Sequence, residues 1–431
     1  MDQLSSPPPD QPTSPPPSYN GNPIEAEVRT PPDVGPAEQI SLCLDTTDNG
    51  WFVLSWTSAS PDSYDWIGLF PSTSSGDSEQ STYQWATKTS PYVTSVAAQP
   101  GYQARYMRWD STAGAYVALL RTPPFPDRVS SSTYDMTTWM ARLTNPENSL
   151  ADVTIPGTHD SAAWGMYDPK TQTQSISIAD QLNAGVRFLD IRLKLSGGKL
   201  WLYHGVVYLG LSFDEVLGWI TAFLDAHPTE TIVMSVKNEA GTDGDAFANA
   251  FKSTYMDPLG SRVYLDDVVP TIREARNRIV LVRRFGVPAV GFPRVYGLNL
   301  SSGWSDNNAD FTISYRSQAD PKRTLTAHIQ DLYDTGDVAT KWTALNGMLT
   351  QAESGRPGEI YLNFASAASW VRTYGMAVYI NPMLYAAIAA PLGRRDGWIS
   401  MDYPNLTPWL IYTLAITNFI SSPLAAAGGA R

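Results

Sequence analysis

Two of the four histidines lie in short polar segments that follow apolar runs: His159 in GTHDS and His204 in YHG. Arg192 lies between them in the chain, within DIR. Two imidazoles can divide the roles of general base and general acid, and a guanidinium is a planar, permanently charged donor that suits phosphate oxygens. Aspartates that can orient an imidazole occur beside this set at Asp160, Asp190 and Asp402. The pattern predicts proton-in, proton-out chemistry at a phosphate group.

Further polar residues follow other apolar runs and suit a polyhydroxylated ligand. They are Lys237, Arg284, Asp331 and Tyr333. No strong cluster of acidic metal ligands surrounds the histidine pair, so we expect Arg192 to balance the phosphate charge. The two remaining histidines are assigned structural roles, because His227 precedes a proline at a predicted helix end and His328 lies inside a predicted strand.

The candidate residues share one position, the C-terminal end of a predicted strand. Most of these runs are continuously apolar, which is typical of strands buried on both faces. Amphipathic segments separate several of them, and one begins with a capping box formed by Ser212 and Glu215. This alternation predicts an α/β fold, an irregular TIM (β/α)8 barrel with its active site at the carboxyl ends of the strands. The predicted barrel strands are Ala151–Pro156, Val186–Leu193, Leu200–Tyr203, Thr231–Val236, Ile279–Arg283, Ala327–Gln330, Ile360–Phe364 and Gly397–Met401.

The sequence before the barrel divides into three segments. Residues 1–36 are a predicted disordered Pro-rich tail. Its Pro16-Pro17-Ser18-Tyr19 resembles the PPxY ligand of WW domains, so a WW-domain protein is a candidate partner. Residues 37–125 carry short β-rich runs between polar turns and predict a small all-β sandwich; DWIGLF and GYQARYMRW resemble Ig-like SKICH-type domains. Residues 126–136 are a predicted linker, and 137–431 form the predicted barrel.

The composition excludes several classes of protein. The chain has 431 residues, with 30 Lys and Arg against 42 Asp and Glu, a formal net charge of −12 that disfavours nucleic-acid binding. A single cysteine excludes an internal disulfide. No apolar run is long enough to span a bilayer, and the N-terminal segment does not have the pattern of a signal peptide. We therefore expect a cytoplasmic monomer that binds peripherally at membranes, with unconventional secretion as the alternative.

Longer stretches of the sequence resemble motifs of one family, and they occur in the same order as in that family, from about residue 138 to about residue 415. The family is that of the bacterial-type phosphatidylinositol-specific phospholipases C, which are X-domain phosphodiesterases. The resemblance implies an irregular TIM barrel and cleavage of phosphatidylinositol or a glycosyl-phosphatidylinositol. It also implies attack by the inositol 2-hydroxyl, which gives cyclic inositol phosphate and diacylglycerol. The matching stretches are IPGTHDSAAWGM, GVRFLDIRLKL, LYHGVVYLGLSFDEVLGWITAFL, HPTETIVMSVKNE, RIVLVRRFG, IQDLYD, IYLNFAS, YINP and GWISMDYPN.

The resemblance also implies a role for each candidate residue. His159 is similar to the base that deprotonates the 2-hydroxyl, and Asp402 to the carboxylate that orients it. His204 is similar to the acid that protonates the leaving diacylglycerol oxygen, with help from Asp160. Arg192 is similar to the residue that stabilises the phosphate. The calcium-dependent relatives carry an acidic ligand at this position. The resemblance therefore implies that the reaction needs no cofactor and is independent of calcium. Lys237, Arg284, Asp331 and Tyr333 match positions that bind or stack on the inositol. Asp190, beside Arg192 in the same motif, is also assigned to substrate binding.

Family members also insert aromatic side chains into lipid near the first and seventh strands. Trp164, Trp370 and Tyr374 occupy similar regions here with a different spacing. Two alternatives to a phosphatidylinositol phospholipase C stay open. One is a sphingomyelinase D-like or glycerophosphodiester phosphodiesterase, which needs acidic magnesium ligands and is disfavoured by Arg192. The other is an inactive barrel that binds inositol lipids as a scaffold, which the intact set of His159, His204 and Arg192 opposes.

Overall fold

The chain divides into two compact units, Met1–Thr133 and Tyr134–Arg431, in a computed structural model. The predicted tail 1–36 with its Pro16-Pro17-Ser18-Tyr19 motif lies outside the described residues, as does most of the predicted linker. The structure describes residues 40–46, 51–58, 60–77, 79–97, 99, 101–122, 125, 134–166, 168, 170–239, 244–368, 373–389, 392–407 and 409–419.

The first unit contains two antiparallel sheets. The strands are β1 Ile40–Thr46, β2 Trp51–Ser58, β3 Trp66–Phe70, β4 Thr82–Trp85, β5 Tyr92–Ala97, β6 Gln103–Asp110 and β7 Ala115–Arg121. The three-stranded sheet has the order β1-β2-β5 and the four-stranded sheet the order β4-β3-β6-β7. Trp66, Phe70, Trp85 and Met107 form a buried hydrophobic cluster on the four-stranded sheet.

The second unit is an irregular barrel of mostly parallel strands. Its strands are β8 Ile155–Thr158, β9 Phe188–Ser196, β10 Lys199–His204, β11 Val207–Ser212, β12 Thr231–Asn238, β13 Val263–Tyr264, β14 Arg278–Arg284, β15 Leu298–Asn299, β16 Phe311–Arg316, β17 Thr324–Gln330, β18 Ile360–Phe364 and β19 Trp398–Met401. Parallel ladders join β14, β12, β9, β8, β19, β18 and β17 in that order, and β13 and β15 pair in parallel with successive parts of β14.

The barrel wall is open along one seam. Strand β16 pairs antiparallel with β17, and within the described residues no ladder joins β15 to β16 or β17. Inside the wall, alternate strand residues fill the interior, among them Phe188, Val233, Val280 and Trp398. Gly157 makes room for this packing, because a Cβ there would lie 2.7 Å from the Phe188 Cβ. The interior of the barrel is therefore a packed apolar core.

Helices cover the outside of the barrel. The capping box of Ser212 and Glu215 starts the second of them, as the sequence predicts. None of the described helices is both long and apolar enough to cross a bilayer. The α-helices are α1 Ile178–Asn183, α2 Phe213–Ala226, α3 Gly244–Ala250, α4 Ile272–Ala275, α5 Val338–Ser354, α6 Thr373–Ile388 and α7 Leu410–Ile416. A π-helix spans Phe251–Met256, and 3-10 segments span Trp139–Arg142, Leu150–Asp152, Asp257–Arg262 and Pro404–Leu406.

One predicted barrel strand is wrong in its placement. The run Leu200–Tyr203 belongs to β10, which pairs antiparallel with the extended end of β9 and forms a hairpin with β11. The short β15 is the strand that follows β14 instead. Alternating apolar residues do not distinguish a barrel strand from a hairpin strand that packs on it, and the two-residue β15 has too short an apolar run to be recognised.

Candidate active site

His159 follows β8 directly and lies at the barrel mouth, which we define as the carboxyl ends of the parallel strands. Its backbone N–H donates to the Met401 carbonyl at 2.9 Å. Its Nδ1 lies 2.8 Å from Asp402 Oδ1, and its Nε2 lies 2.7 Å from Arg192 Nη2. A guanidinium only donates, so Nε2 accepts, and the proton of the neutral ring lies on Nδ1 and is donated to Asp402. This tautomer leaves the basic nitrogen of His159 next to Arg192.

Arg192 lies at the end of the parallel part of β9, among carboxylates. Its Nε donates to Asp190 Oδ2 at 3.1 Å, and its Nη1 lies 3.6 Å from Glu239 Oε1. Burial lowers the pKa of the Arg192 guanidinium, but Asp190 and Asp160 outweigh burial and raise the pKa overall. Burial raises the pKa of Asp190, but Arg192 and Arg284 outweigh it and hold that pKa well below its usual range. Asp190 is fully buried and lies against both arginines, 3.1 Å from Arg192 Nε and 3.5 Å from Arg284 Nη1, so it helps to position them.

His204 ends β10 and lies on the hairpin, not on a barrel strand. Its Nδ1 lies 2.6 Å from Oδ2 of the fully buried Asp160. Asp160 adopts a left-handed φ of 40°, and its N–H donates to Asp190 Oδ2 at 3.2 Å. Burial lowers the pKa of His204, but the contact with Asp160 outweighs burial and raises the pKa overall. A raised pKa favours the imidazolium, so His204 suits a proton donor while His159 suits an acceptor.

Arg284 and Asp331 form a second polar group at the mouth. Arg284 Nη2 lies 4.0 Å from Asp331 Oδ2, and its guanidinium carbon lies 3.6 Å from the centre of the Trp304 ring. The Trp304 indole N–H donates to Asp331 Oδ2 at 3.0 Å. Burial lowers the pKa of Arg284 and raises that of Asp331. The sequence gives no signal for Trp304, because it lies in the long segment between β15 and β16.

Glu239 is a site residue that the sequence analysis missed. Its Oε2 lies 3.0 Å from Lys237 Nζ, and its Oε1 accepts from the Gly205 N–H at 2.9 Å. Burial raises the pKa of Glu239, but Arg192 and Lys237 outweigh burial and lower it. One carboxylate therefore ties the end of β12, the guanidinium on β9 and the hairpin tip together. Its position in KNE, directly after a predicted strand, is the sequence feature that could have identified Glu239 as a site residue.

Lys341 is a second missed residue, on helix α5 behind the mouth. Its fully buried Nζ donates to the Leu332 carbonyl at 2.7 Å and to Gln330 Oε1 at 3.1 Å. Gln330 Nε2 in turn donates to Asn363 Oδ1 at 2.8 Å. Burial lowers the pKa of Lys341 to about 7. This network fixes the turn that carries Asp331.

The remaining predicted residues lie in different surroundings. Tyr333 is partly exposed at the mouth, and its hydroxyl donates to Asp306 Oδ2 at 2.9 Å. Trp164 is partly buried, and Tyr374 is 49% exposed. Trp370 lies outside the described residues.

The other two histidines lie outside the mouth cluster. The ring of His227 packs on Phe223, with 4.7 Å between ring centres. His328 Nε2 lies 3.1 Å from Glu359 Oε2, and its ring stacks on Tyr361. Both arrangements agree with structural roles.

Four carboxylates at the mouth are each engaged by a cation or a histidine. Asp190 and Glu239 lie next to arginine or lysine, and Asp160 and Asp402 lie next to His204 and His159. Among the described residues, no group of three or more His, Cys, Asp or Glu side chains is arranged to hold a metal ion. The arrangement thus supplies a proton acceptor, a fixed positive charge and a proton donor at one opening.

Comparison with known proteins gives concordant matches to one family. A family model described as "PI-PLC X 1" matches residues 147–274. The 1-phosphatidylinositol phosphodiesterase of Staphylococcus aureus (strain Newman) is 31% identical over 302 residues, covering 66% of this chain and 93% of the relative. The enzyme of that name from Listeria monocytogenes is 32% identical over 286 residues, covering 62% of this chain and 81% of the relative.

Solved structures agree with these sequence matches. A double mutant of the phosphatidylinositol-specific phospholipase C from S. aureus superposes with a TM-score of 0.57 and 28% identity, covering 66% of this chain and 97% of that chain. The phospholipase from L. monocytogenes superposes with a TM-score of 0.54 and 26% identity, covering 66% and 98%.

Proposed function

The chain belongs to the bacterial-type phosphatidylinositol-specific phospholipase C family, and from that premise we propose that it is a phosphatidylinositol phosphodiesterase. It cleaves the bond between phosphate and diacylglycerol. The observation that carries the proposal is that two histidines, each paired with its own carboxylate, lie close to one partly buried arginine. This set divides base, charge and acid among different residues, as a reaction with an attacking and a leaving oxygen requires.

His159 acts as the base in this mechanism. Its Nε2 takes the proton of the inositol 2-hydroxyl, whose oxygen then attacks phosphorus. The positive ring that results is stabilised by Asp402, 2.8 Å from Nδ1. Because the substrate's own hydroxyl is the nucleophile, the reaction needs no nucleophilic protein side chain.

Arg192 stabilises the phosphate. Without substrate its Nη2 donates to His159 Nε2; when the inositol hydroxyl occupies Nε2, that donor turns to a phosphate oxygen. The guanidinium keeps its charge throughout, because neighbouring carboxylates raise its pKa. We propose that this fixed charge takes the place of a metal ion and that catalysis is independent of calcium.

His204 completes the reaction as the acid. As the bond between phosphorus and the diacylglycerol oxygen breaks, that oxygen takes the imidazolium proton, which gives diacylglycerol and a cyclic inositol phosphate. Asp160 keeps His204 protonated by raising its pKa. Lys237, Arg284, Asp331 and Tyr333 line the same mouth and bind the inositol hydroxyls.

A lipid surface is the proposed docking partner. The exposed large hydrophobic side chains found in the described part of the second unit all follow carboxyl ends of strands or lie on the β10–β11 hairpin. Val206 at the hairpin tip is 92% exposed. The hairpin adjoins the mouth, since Gly205 bonds to Glu239. Apolar groups around the opening suit insertion into an interface even on an acidic protein. They are Val206, Val207, Tyr208, Val290, Tyr333, Tyr374 and Leu406.

Head-group release from lipid vesicles tests the function. We expect hydrolysis of phosphatidylinositol, but not of phosphatidylcholine or sphingomyelin, with EGTA present. His159→Ala and His204→Ala should each lose about 10²–10⁴-fold in rate, and His227→Ala should not. Release from sphingomyelin that needs magnesium would favour the sphingomyelinase-like alternative. A folded protein that binds the vesicles without hydrolysis would favour the inactive scaffold.

A further inference from the structure

A cavity of about 280 Å³ lies at the open seam of the barrel wall, between the β15 segment and β16. Three arginines line it: Arg283, Arg294 and Arg316. None of the proposed catalytic or inositol-binding residues is among its lining residues. Arg283 is next to Arg284 on β14, so the two side chains point to opposite faces of the wall. The cavity is therefore distinct from the mouth, although it adjoins the same strand.

Arg283 is a buried cation whose partners are neutral. Its Nε donates to the Tyr296 carbonyl at 3.0 Å, and its Nη1 to the Phe285 carbonyl at 2.5 Å and to Ser301 Oγ at 3.3 Å. Its side chain is buried, and burial lowers its pKa. Within the described residues, no carboxylate lies at ion-pair distance from Arg283, Arg294 or Arg316. Burying such a charge without an anion is unfavourable.

One acidic residue, Asp267, also lines the cavity. Its Oδ1 accepts from Ser317 Oγ at 2.5 Å and its Oδ2 from the Gln318 N–H at 2.7 Å, so both oxygens are engaged within the protein. Three guanidinium groups against one carboxylate leave a positive cavity in a chain whose formal net charge is −12. The hydroxyl of Ser302 and the amide of Gln318 add neutral donors to the lining.

We propose that this cavity is a second anion site that binds a phosphate group, separate from the phosphate handled at the mouth. Guanidinium groups bind phosphate oxygens through paired, charge-assisted hydrogen bonds, which is why arginine predominates at such sites. The phosphate belongs either to a soluble compound or to the head group of an anionic lipid.

Titration with inorganic phosphate at constant ionic strength tests the site. Two-dimensional spectra of the arginine Nε–H groups follow both places at once, because Arg192 reports the mouth and Arg283 the cavity. We expect the Arg283 signal to shift and saturate. The double variant R294Q/R316Q should weaken that binding at least about tenfold, because hydrogen bonds to charged groups are each worth about this much. It should leave hydrolysis of a soluble inositol phosphodiester unchanged.

The variant R262Q/R273Q is the matched control. It also removes two positive charges, from the surface pairs Arg262–Asp225 and Arg273–Glu147, and neither arginine lines the cavity. It should bind phosphate as the wild type does. An Arg283 signal that does not respond to phosphate, or an R294Q/R316Q variant that saturates like the control, would overturn the proposal.

Vesicles distinguish the two sources of the phosphate. Phosphatidylcholine vesicles with and without phosphatidylglycerol are sedimented with each variant. If R294Q/R316Q loses the extra binding that phosphatidylglycerol provides, the site takes a lipid head group. If it binds both vesicles as the wild type does but has lost inorganic phosphate, the site takes a soluble phosphate compound.

Discussion

Replacing Asp402 with Asn tests how the base is prepared. In the wild type, Arg192 donates to His159 Nε2, so the ring proton lies on Nδ1 and is donated to Asp402. An asparagine amide can instead donate its N–H to Nδ1, which places the ring proton on Nε2. That proton would then face the Arg192 donor 2.7 Å away and would occupy the atom that must accept the substrate proton.

The size of the loss follows from charge and tautomer together. The carboxylate lies 2.8 Å from Nδ1, and both side chains are largely buried at 2% and 13% exposure. Unit charges centred about 4 Å apart attract by roughly 4 kcal/mol at an effective dielectric constant of about 20. Losing that stabilisation of the positive ring costs about 10³-fold in rate. The wrong tautomer adds to this, and the corresponding change in a serine protease triad costs about 10⁴-fold. We expect a loss of about 10³–10⁴-fold.

The assay combines kinetics with a direct view of the ring. Turnover is measured on phosphatidylinositol vesicles and on a soluble inositol phosphodiester, and ¹⁵N spectra of His159 report which nitrogen carries the proton. Both substrates should lose activity equally, and the proton should move to Nε2. A variant that retains the Nδ1–H tautomer and stays within tenfold of the wild-type rate would refute the reasoning.

Three other expectations follow from the geometry. Asp160→Asn removes the contact that raises the pKa of His204. Because the general acid must be protonated, the alkaline limb of the pH–rate profile should move to lower pH. An alkaline limb that does not move would exclude His204 as the acid. Burial lowers the pKa of Lys341 to about 7, so above that pH this group holds one more proton in the unfolded chain than in the folded chain, and its contribution to stability should rise with pH up to about 10. Lys341→Met should remove this contribution and lower the slope of stability against pH by up to about 1.4 kcal/mol per pH unit, as measured by denaturant unfolding. The double variant V206S/V207S should weaken vesicle binding about tenfold or more, since each valine buried in lipid contributes about 1.5 kcal/mol or more. The control is Val93→Ser in the first unit, at a valine that is 54% exposed. An equal loss of activity on vesicles and on a soluble substrate would contradict lipid contact.

Much of the barrel and its mouth follows from local sequence patterns. Strands such as Thr231–Asn238 are buried on both faces, so their apolar runs are long and unambiguous. Polar residues immediately after those runs must lie at the same end of a parallel barrel, which is why His159, Arg192 and Arg284 could be grouped without coordinates. Helix α2 could also be predicted from the sequence, since its capping box and its apolar face are both formed by residues close together in the chain.

The parts that could not be predicted depend on contacts distant in sequence. The antiparallel pairing of β10 with β9 depends on a turn through Gly197 and Gly198, both with positive φ, and not on the composition of the strand. Lys341 resembles any helical lysine until the fold closes over it. Trp304 contacts Arg284 only because the long segment after β15 brings its ring to the mouth.

The hairpin position of His204 changes how the acid is held relative to the base. His159 follows a barrel strand that is paired on both sides, whereas β10 is joined to the barrel through the extended end of β9. Two contacts near the mouth fix the far end of the hairpin: His204 with Asp160 at 2.6 Å, and the Gly205 N–H with Glu239 at 2.9 Å. Both carboxylates also lie within the charged group around Arg192. The residues that position the acid are thus the same residues that set the electrostatics of the phosphate site, so a change at Asp160 or Glu239 must affect both functions together.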